Sequence, residues 1–517
     1  MSKQLLETPA RHPFSVLGLA DKTWQLLSES AFRVAASPTA KLAEAAVTGV
    51  LQQIVEGQLR IVTANKTYTF PESEQHNDPE LQSELRVKSD LFWIRLVTMG
   101  DLGFAEAYMY GEVECEDLVS SFKIFLRNRE RLQNLDSRFS YLFSLPQKIT
   151  SMRFVNTLSN SRSNISAHYD ISNKMFEGFL SEDMTYSCAI FKELDADLRL
   201  PLPSEIPSRG QVKVKYDLPT PITSETATPN NELISESGGV DELYEAQIRK
   251  IDHIIRCAKI QPGQRVLEIG SGWGSLALRI ATQFPGTTVD TITLSVHQQS
   301  LACQRIARTG KEVSDRVRVH LMDYRAMPET WAGFFDRVIS VEMVEAVGLE
   351  YLDEYFRVID WALKPHTGVG VIQSITIPEA RFERYSKEID FIRKWVFFPG
   401  GILPTLSLLI QSLTSGSRGR LVVDSVSNIG PHYSRTLREW RRRFLAHFDV
   451  VIEPALQEEY PTVMAGEKGK EEVEVFKRKW IYYYCYCEIG FTTRSLGDHI
   501  ITFSREGNES FGCSVFE

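Results

Sequence analysis

The sequence predicts an α/β fold: a doubly wound, Rossmann-like sheet with a small N-terminal α+β accessory domain. Three observations carry the expectation. Residues 265–269 form a short apolar run with an acid near its end, and they meet a turn with glycines at 270, 272 and 274 that opens a segment of helical apolar spacing. Downstream of that turn, strand-like and helix-like stretches alternate, as in a sheet wound by crossover helices. Upstream, residues 39–150 mix shorter helical and alternating segments without that repeat.

The chain has 517 residues, enough for roughly three domains, and its 43% hydrophobic content supports large cores. A net charge of −9 argues against a nucleic-acid partner, while leaving room for a local basic face toward a membrane. The seven cysteines are scattered, odd in number and free of paired C-x-x-C spacing, which reads as reduced thiols with no zinc site and no disulfide scaffold. No charged segment followed by an apolar stretch marks the N-terminus, and no apolar run reaches the ~18 residues of a membrane span. The expectation is a cytoplasmic protein.

In chain order, residues 1–38 carry no firm period and read as a loosely ordered lead-in. Within 39–56, Leu42, Ala45, Ala46, Leu51, Ile54 and Val55 recur at helical spacing, which suits a packed helix better than one lying on a membrane. Residues 57–70 alternate as a strand, and 85–97 and 103–126 are further apolar segments; together 39–150 form the accessory domain. Residues 151–192 read as a lid and the start of the second domain, dense in polar and aromatic groups (His168, Tyr169, Asp170, Tyr186, Ser187, Cys188). Taken alone, His168 suits a structural role as well as a functional one.

Six prolines within 193–241, among many Ser, Thr, Asn and Gly, leave too little apolar surface for a core, so this stretch is a disordered or looped insertion. The main domain, 242–517, opens with helical periodicity over 243–260. Strands are expected at 287–294, 316–321, 337–341 and 368–377, and helices at 296–309, 350–363 and 382–395. Ligands of such a sheet sit beyond the carboxyl ends of its strands, where this chain places Thr293, Leu294, Ser295 and Gln298, then Asp323 and Tyr324, then Glu342 and Glu345, with Gln373 on the last parallel strand.

The glycine turn narrows the ligand. Gly270, Gly272 and Gly274 allow positive φ and close backbone approach, while Glu268 favours a cation over a phosphate. S-adenosylmethionine, with its ammonium and no phosphate, fits that pairing better than a dinucleotide. An acid at Asp323 suits its adenine amino group.

With these residues assembled, the chain resembles the cyclopropane-fatty-acyl-phospholipid synthase family, which includes the mycolic acid cyclopropane synthases. The likeness covers about 160–510 outside the insertion, and more weakly 57–130. It rests on His168-Tyr169-Asp170, Thr185-Tyr186-Ser187-Cys188, the 268–274 loop, Thr293-Leu294-Ser295, Ile339-Ser340-Val341-Glu342-Met343 with Glu345, Phe398-Pro399-Gly400-Gly401, the 428–437 stretch, and Cys487 ahead of Gly490-Phe491.

The resemblance implies a class I methyltransferase sheet that binds S-adenosylmethionine through Tyr186, Ser187 and the loop and strand-end residues above. The implied reaction adds the cofactor's methyl to a cis double bond of an unsaturated phospholipid acyl chain, giving a carbocation that loses a proton to close a cyclopropane. In the family a bound bicarbonate takes that proton, and the matching holders are Cys188, Glu345, Ile375 through its backbone, and Tyr433. Gln373 and Ala346 stand where bacterial members commonly carry histidines, His297 stands where a glutamate is expected, and Ser271 where a cysteine is usual. These departures bear on the last proton loss, whose failure would leave a methyl-branched or methylene product.

Cys487 is a position taken as catalytic in the family, yet carbocation chemistry needs no sulfur nucleophile, and a thiol lining the acyl channel fits equally. Tyr482, Tyr483, Tyr484, Tyr486 and Phe491 fit either a cation-stabilising wall or an ordinary core helix. The clusters Arg438-Arg441-Arg442-Arg443 and Lys477-Arg478-Lys479 suggest peripheral docking on anionic lipid, solvated helix faces fitting each cluster alone equally well. A homodimer is compatible with all of this. A methyltransferase making a branched fatty acid or sphingolipid base, and an inactive lipid-binding homologue, are the competing readings; the intact cofactor loop opposes the second.

Overall fold

The computed structural model describes residues 36–72, 81–132, 172–199, 241–388, 390–396, 401–461 and 463–513. The lead-in, nearly all of the insertion, and the motif residues 168–170 and 398–400 therefore lie outside the described residues.

The N-terminal unit packs a four-stranded sheet against helices. Helix α1 (Ala36–Leu51) precedes strands β1 (Gln58–Val62), β2 (Thr67–Phe70) and β3 (Gln82–Val87); helices α2 (Leu91–Met99) and α3 (Asp101–Met109), strand β4 (Val113–Cys115) and helix α4 (Leu118–Arg127) follow, with strand order β2-β1-β3-β4. The single strand expected over 57–70 is an antiparallel hairpin instead, because Thr63 and Lys66 close a turn (Thr63 N to Lys66 O, 2.8 Å). The apolar stretch 85–97 likewise divides into a strand and a helix. Helices α2 and α3 approach so closely that a Cβ on Gly103 would lie 2.0 Å from the Arg95 carbonyl oxygen, so only glycine fits there.

The second unit is a seven-stranded sheet. In chain order it contains α5 (Glu242–Ala258), β5 (Arg265–Ile269), α6 (Ser275–Gln283), β6 (Thr288–Thr293), α7 (Val296–Ala307), β7 (Val317–Leu321), β8 (Arg337–Val341), α8 (Leu352–Ala362), β9 (Val369–Thr376), α9 (Glu379–Lys387), α10 (Leu406–Gly416), β10 (Leu421–Asn428), α11 (Gly430–His447), α12 (Gly466–Thr492) and β11 (Gly497–Arg505). The order is β10-β11-β9-β8-β5-β6-β7; β5 to β9 run parallel, β11 adds antiparallel to β9, and β10 adds antiparallel to β11. The chain winds outward from β5 to β7 and then returns to β8. The gap between the ends of β5 and β8 is thus the topological switch point, where such sheets bind ligands. The helix expected over 382–395 is broken: α9 ends at Lys387, and Asp390 accepts from Arg393 N at 2.8 Å to start a separate wide turn, Ile392–Val396.

Helix α12 joins the two units. Val475, Tyr482, Cys485 and Ile489 pack into the N-terminal core, while Phe476, Trp480, Tyr484 and Phe491 pack into the core of the larger sheet. The aromatic-rich run of this helix therefore serves two cores at once.

The arginine cluster on α11 is largely internal. Arg438 pairs with Asp197 (2.6 Å) and lies 3.7 Å from Glu488; Arg441 pairs with Glu488 (2.8 Å), Arg442 with Glu439, and Arg443 with Asp241. On α12, Lys477 pairs with Asp449, Arg478 with Glu474, and Lys479 is buried. These clusters lend no support to the electrostatic dock expected from them: six of the seven basic side chains have an acidic partner within the fold, and Lys479 is buried. Substituting Arg438 with Gln removes its close pair with Asp197, while Arg441 still faces Glu488 and Arg435 still faces Asp197, and should cost about 2 kcal/mol of stability, the scale of a hydrogen bond to a charged group. Calorimetric unfolding should show the lower Tm, whereas the salt dependence of co-sedimentation with anionic vesicles should not change.

Candidate active site

Strand β5 delivers Glu268 to the carboxyl edge of the sheet, and the chain then turns through Gly270 (φ 98°), Gly272 (φ 48°) and Gly274 (φ 87°) into α6. Side chains rarely tolerate positive φ at three alternate positions, which explains the glycines. A Cβ on Gly272 would meet nothing within 4 Å, since that position borders a cavity at the switch point. The cavity walls are the glycine loop, Thr293, Leu294 and Gln298 beyond β6, Met322 and Tyr324 beyond β7, and Val341, Glu342 and Met343 beyond β8. Residues 184–187, including Tyr186 and Ser187, supply a further wall, and Lys250 of α5 reaches it with Nζ donating to Ser187 Oγ at 2.6 Å.

Glu268 is 4% exposed, and burial pushes its carboxyl up to about 8. Its Oε2 has no hydrogen-bond partner among the described residues. A buried acid with an open lone pair, beside a loop that leaves room for a ligand, suits an ammonium, so the residues present fit S-adenosylmethionine. Thr293 Oγ1 donates to Gln298 Oε1 at 2.8 Å, and Ser295 Oγ accepts from Gln298 N at 3.3 Å as the N-cap of α7. Ser295 thus shapes the wall without forming part of it. Asp323 departs from expectation: both its oxygens are taken by Arg325 (2.9 and 2.7 Å), because Asp323 caps the short helical turn that contains Arg325, and its neighbours Met322 and Tyr324 face the cavity instead.

A second polar cluster borders the first. The Glu342 carboxylate accepts from the Cys188 backbone N–H (2.8 Å), from Gln373 Nε2 (2.8 Å) and from the Tyr433 hydroxyl (2.6 Å). Gln373 Nε2 also donates to Asp498 Oδ2 at 2.8 Å. Glu342 follows β8 with φ 47°, a conformation that costs a non-glycine residue and is commonest at functional sites. Burial raises both Glu342 and Asp498, but Glu342 collects three donors and the attraction of Lys250, while Asp498 is driven further up by the charges of Glu342 and Glu345. Asp498 is the member that keeps its proton.

Glu345 sits one step away from the cavity wall. Its Oε1 accepts from Ile375 N (2.5 Å) and Ser374 Oγ (3.1 Å), and burial together with the Glu342 charge pushes it up to about 8. The Cys188 thiol is driven well above its ordinary range by burial and donates to the Ile429 carbonyl at 3.6 Å, so it contributes through its backbone. Cys487 is half-buried on α12 against the larger core, and burial raises its thiol too.

Of the residues expected to hold bicarbonate, Cys188, Gln373 and Tyr433 converge on one point, and Glu345 and Ile375 pair beside it. That point carries the Glu342 carboxylate. A second anion there would face a carboxylate and find the donors engaged, so the residues present do not fit bicarbonate. Glu342 was visible in the sequence as one polar residue at a strand end and as a member of the 339–343 motif, with no role attached; its positive φ and its three donors arise from tertiary structure.

A doubly wound sheet whose first strand ends in a buried acid, a glycine turn and a cavity at the switch point defines a S-adenosylmethionine-dependent methyltransferase. The family model for mycolic acid cyclopropane synthetase matches residues 156–201 and 238–498. The chain belongs to that family. It is 33% identical over 430 residues to the tuberculostearic acid methyltransferase UfaA1 of Mycobacterium tuberculosis, covering 83% of this chain and 85% of that protein. It is 29% identical over 429 residues to the cyclopropane-fatty-acyl-phospholipid synthase of Escherichia coli K12, covering 82% and 88%. Among solved structures, coclaurine N-methyltransferase bound to N-methylheliamine and SAH shares the fold, with a TM-score of 0.52 at 19% identity over 78% of this chain and 98% of that one.

Two outcomes follow for the cofactor cavity. Gly272→Val forces a β-branched residue into positive φ at the cavity wall, and calorimetry should find S-adenosylmethionine binding lost in a protein that still folds. In the free protein Glu268 titrates near 8 and is protonated at neutral pH. A bound ammonium favours the ionised form and lowers that value, so binding at neutral pH should release a proton. Calorimetry in buffers of different protonation enthalpy should show the release, and should show it fading as pH rises past 8.

Proposed function

We propose that this protein transfers the methyl of S-adenosylmethionine to a cis double bond in the acyl chain of a phospholipid and closes a cyclopropane ring. The observation that carries the reading is the adjoining of the cofactor cavity to a polar cluster in which the Glu342 carboxylate accepts three hydrogen bonds. The likeness to the Escherichia coli synthase supports the substrate class.

When bound, S-adenosylmethionine supplies an electrophilic methyl to the alkene. The protein's share of the work is to hold the cofactor, shield a cation from water and remove a proton. Glu268 and the glycine turn position the amino-acid end. Aromatic faces crowd the second cluster: Tyr433 stacks on Phe491 with ring centres 4.5 Å apart, Tyr186 packs on Trp440 at 5.0 Å, and the hydroxyls of Tyr186 and Tyr483 lie 3.0 Å apart. Such faces stabilise positive charge without attacking it. No step is assigned to bicarbonate.

The likeness to the tuberculostearic acid methyltransferase favours a second reading, a methyl-branched product. Both products begin with the same methyl addition: loss of a proton from the new methyl either closes the ring or leaves a methylene-branched alkene, whose conversion to a saturated methyl branch needs a separate reductant. A phospholipid substrate brings the protein to a membrane surface as a peripheral partner; among the described residues no helix is long and apolar enough to cross one. Mass spectrometry of lipids from a host expressing the chain should show unsaturated acyl chains gaining one methylene unit. Resistance of that product to hydrogenation that saturates alkenes marks a ring closed by this enzyme, a reducible product marks a methylene branch, and unchanged lipids refute both readings.

A further inference from the structure

We infer that Glu342 is the catalytic base: its carboxylate takes the proton that closes the ring, in the place where a bound anion would otherwise act. The inference rests on the reaction proposed above and assigns its last step to one side chain.

Position comes first. Glu342 follows β8 at the switch point, across from the glycine turn, and lines the same cavity as Glu268, Gly272 and Tyr186. Glu345, the acid that the family resemblance implied, does not line it; both hydrogen bonds of its side chain tie Oε1 to β9.

Holding comes second. Three donors from three separate parts of the chain meet on Glu342: a backbone N–H at Cys188, the amide of Gln373 on β9 and the hydroxyl of Tyr433 in the first turn of α11. A carboxylate so fixed keeps one ionised geometry, and its backbone holds φ 47° to put it there.

Charge comes third. Asp498, Glu345 and Lys250 face Glu342 from β11, the turn after β8 and α5. Asp498 and Glu345 are pushed up by burial and by Glu342 itself, so they are the protonated neighbours, while Lys250 favours the Glu342 anion. Burial also raises Glu342 above an ordinary carboxylate, which makes it a stronger base than one in water.

The step balances without another reactant. The alkene π pair forms the new bond to the methyl carbon as the carbon–sulfur bond breaks toward sulfur, giving S-adenosylhomocysteine and a cation on the neighbouring carbon. A C–H bond of the transferred methyl then gives its proton to Glu342, and its electron pair closes the third carbon–carbon bond. The carboxylate ends as the carboxylic acid.

The test compares wild type with Glu342→Gln and Glu342→Gly in buffer freed of bicarbonate and then supplied with it. Wild-type turnover of unsaturated phospholipid should be the same in both buffers. Glu342→Gln should still bind S-adenosylmethionine by calorimetry and lose about 100-fold or more in product formation at saturating cofactor, the scale of general-base catalysis. Glu342→Gly suits the positive φ and vacates the three donors. It should bind isotopically labelled bicarbonate, seen as broadening of its carbon resonance, where wild type does not, and should regain turnover as bicarbonate is added. A wild-type rate that depends on bicarbonate, or a Glu342→Gln variant at the wild-type rate, overturns the role of Glu342 alone. A wild type that binds the cofactor yet modifies no unsaturated lipid overturns the reaction itself.

Discussion

Burying several carboxylates within one site is the constraint on which the rest of the structure depends. Glu268, Glu342, Glu345 and Asp498 come together at the carboxyl edge of the sheet, facing Lys250, whose charge burial disfavours and the Glu342 carboxylate supports. Charges left unscreened in such a setting repel by far more than the net stability of a domain, so most of these acids must stay protonated. The fold decides which. Glu342 alone among the four gathers a backbone N–H, an amide and a hydroxyl, and those donors come from a loop, a strand and a helix that are distant in sequence. The parallel sheet, the antiparallel extension through β11 that brings in Asp498, and the placement of α11 are all required before one carboxylate can be singled out.

The same arrangement links the site to the N-terminal unit. Tyr433 stacks on Phe491 near the end of α12, and the same helix, through Tyr482 and Cys485, fills the N-terminal core. Tyr482 contacts Phe104, Phe122 and Phe391. Loosening that core would be felt along a rigid helix whose far end supports a donor to Glu342. The accessory unit thus acts on the chemistry through packing, with none of its described residues lining the cavity.

What could be read from the sequence divides along physical lines. The doubly wound class was legible because parallel strands are continuous apolar runs and the glycine turn marks where they bind. The antiparallel pair β10 and β11 was not foreseen, since β10 is exposed along most of its length and carries no apolar alternation. The cavity residues Glu268, Gly272, Thr293 and Tyr324 were legible from strand ends. Asp323 misled because a residue two positions on, Arg325, was free to satisfy it locally, and the α11 arginines misled because a run of like charge does not reveal its partners, which lie in distant segments. The central role of Glu342 was hidden most deeply: nothing in one sequence distinguishes an acid at a strand end from an acid on which three distant donors converge.

A base that is part of the chain has consequences that an exchangeable anion does not. It is present in every molecule at fixed geometry, so no binding equilibrium limits the proton-loss step, and the advantage of orientation is built in during folding. It must also be recharged: once protonated, Glu342 cannot leave as carbonic acid would, and its proton has to depart before the next cycle. The Tyr433 hydroxyl and the Gln373 amide are donors to the carboxylate, and Asp498 and Glu345 are held protonated, so the cluster offers no ready acceptor for that proton. The cavity side of Glu342 is the remaining exit, and it opens to water only when product and spent cofactor have gone. Exclusion of water during the cation's lifetime and its readmission afterwards are therefore two halves of one requirement. The cavity that shields the reaction is also the route by which the base is restored.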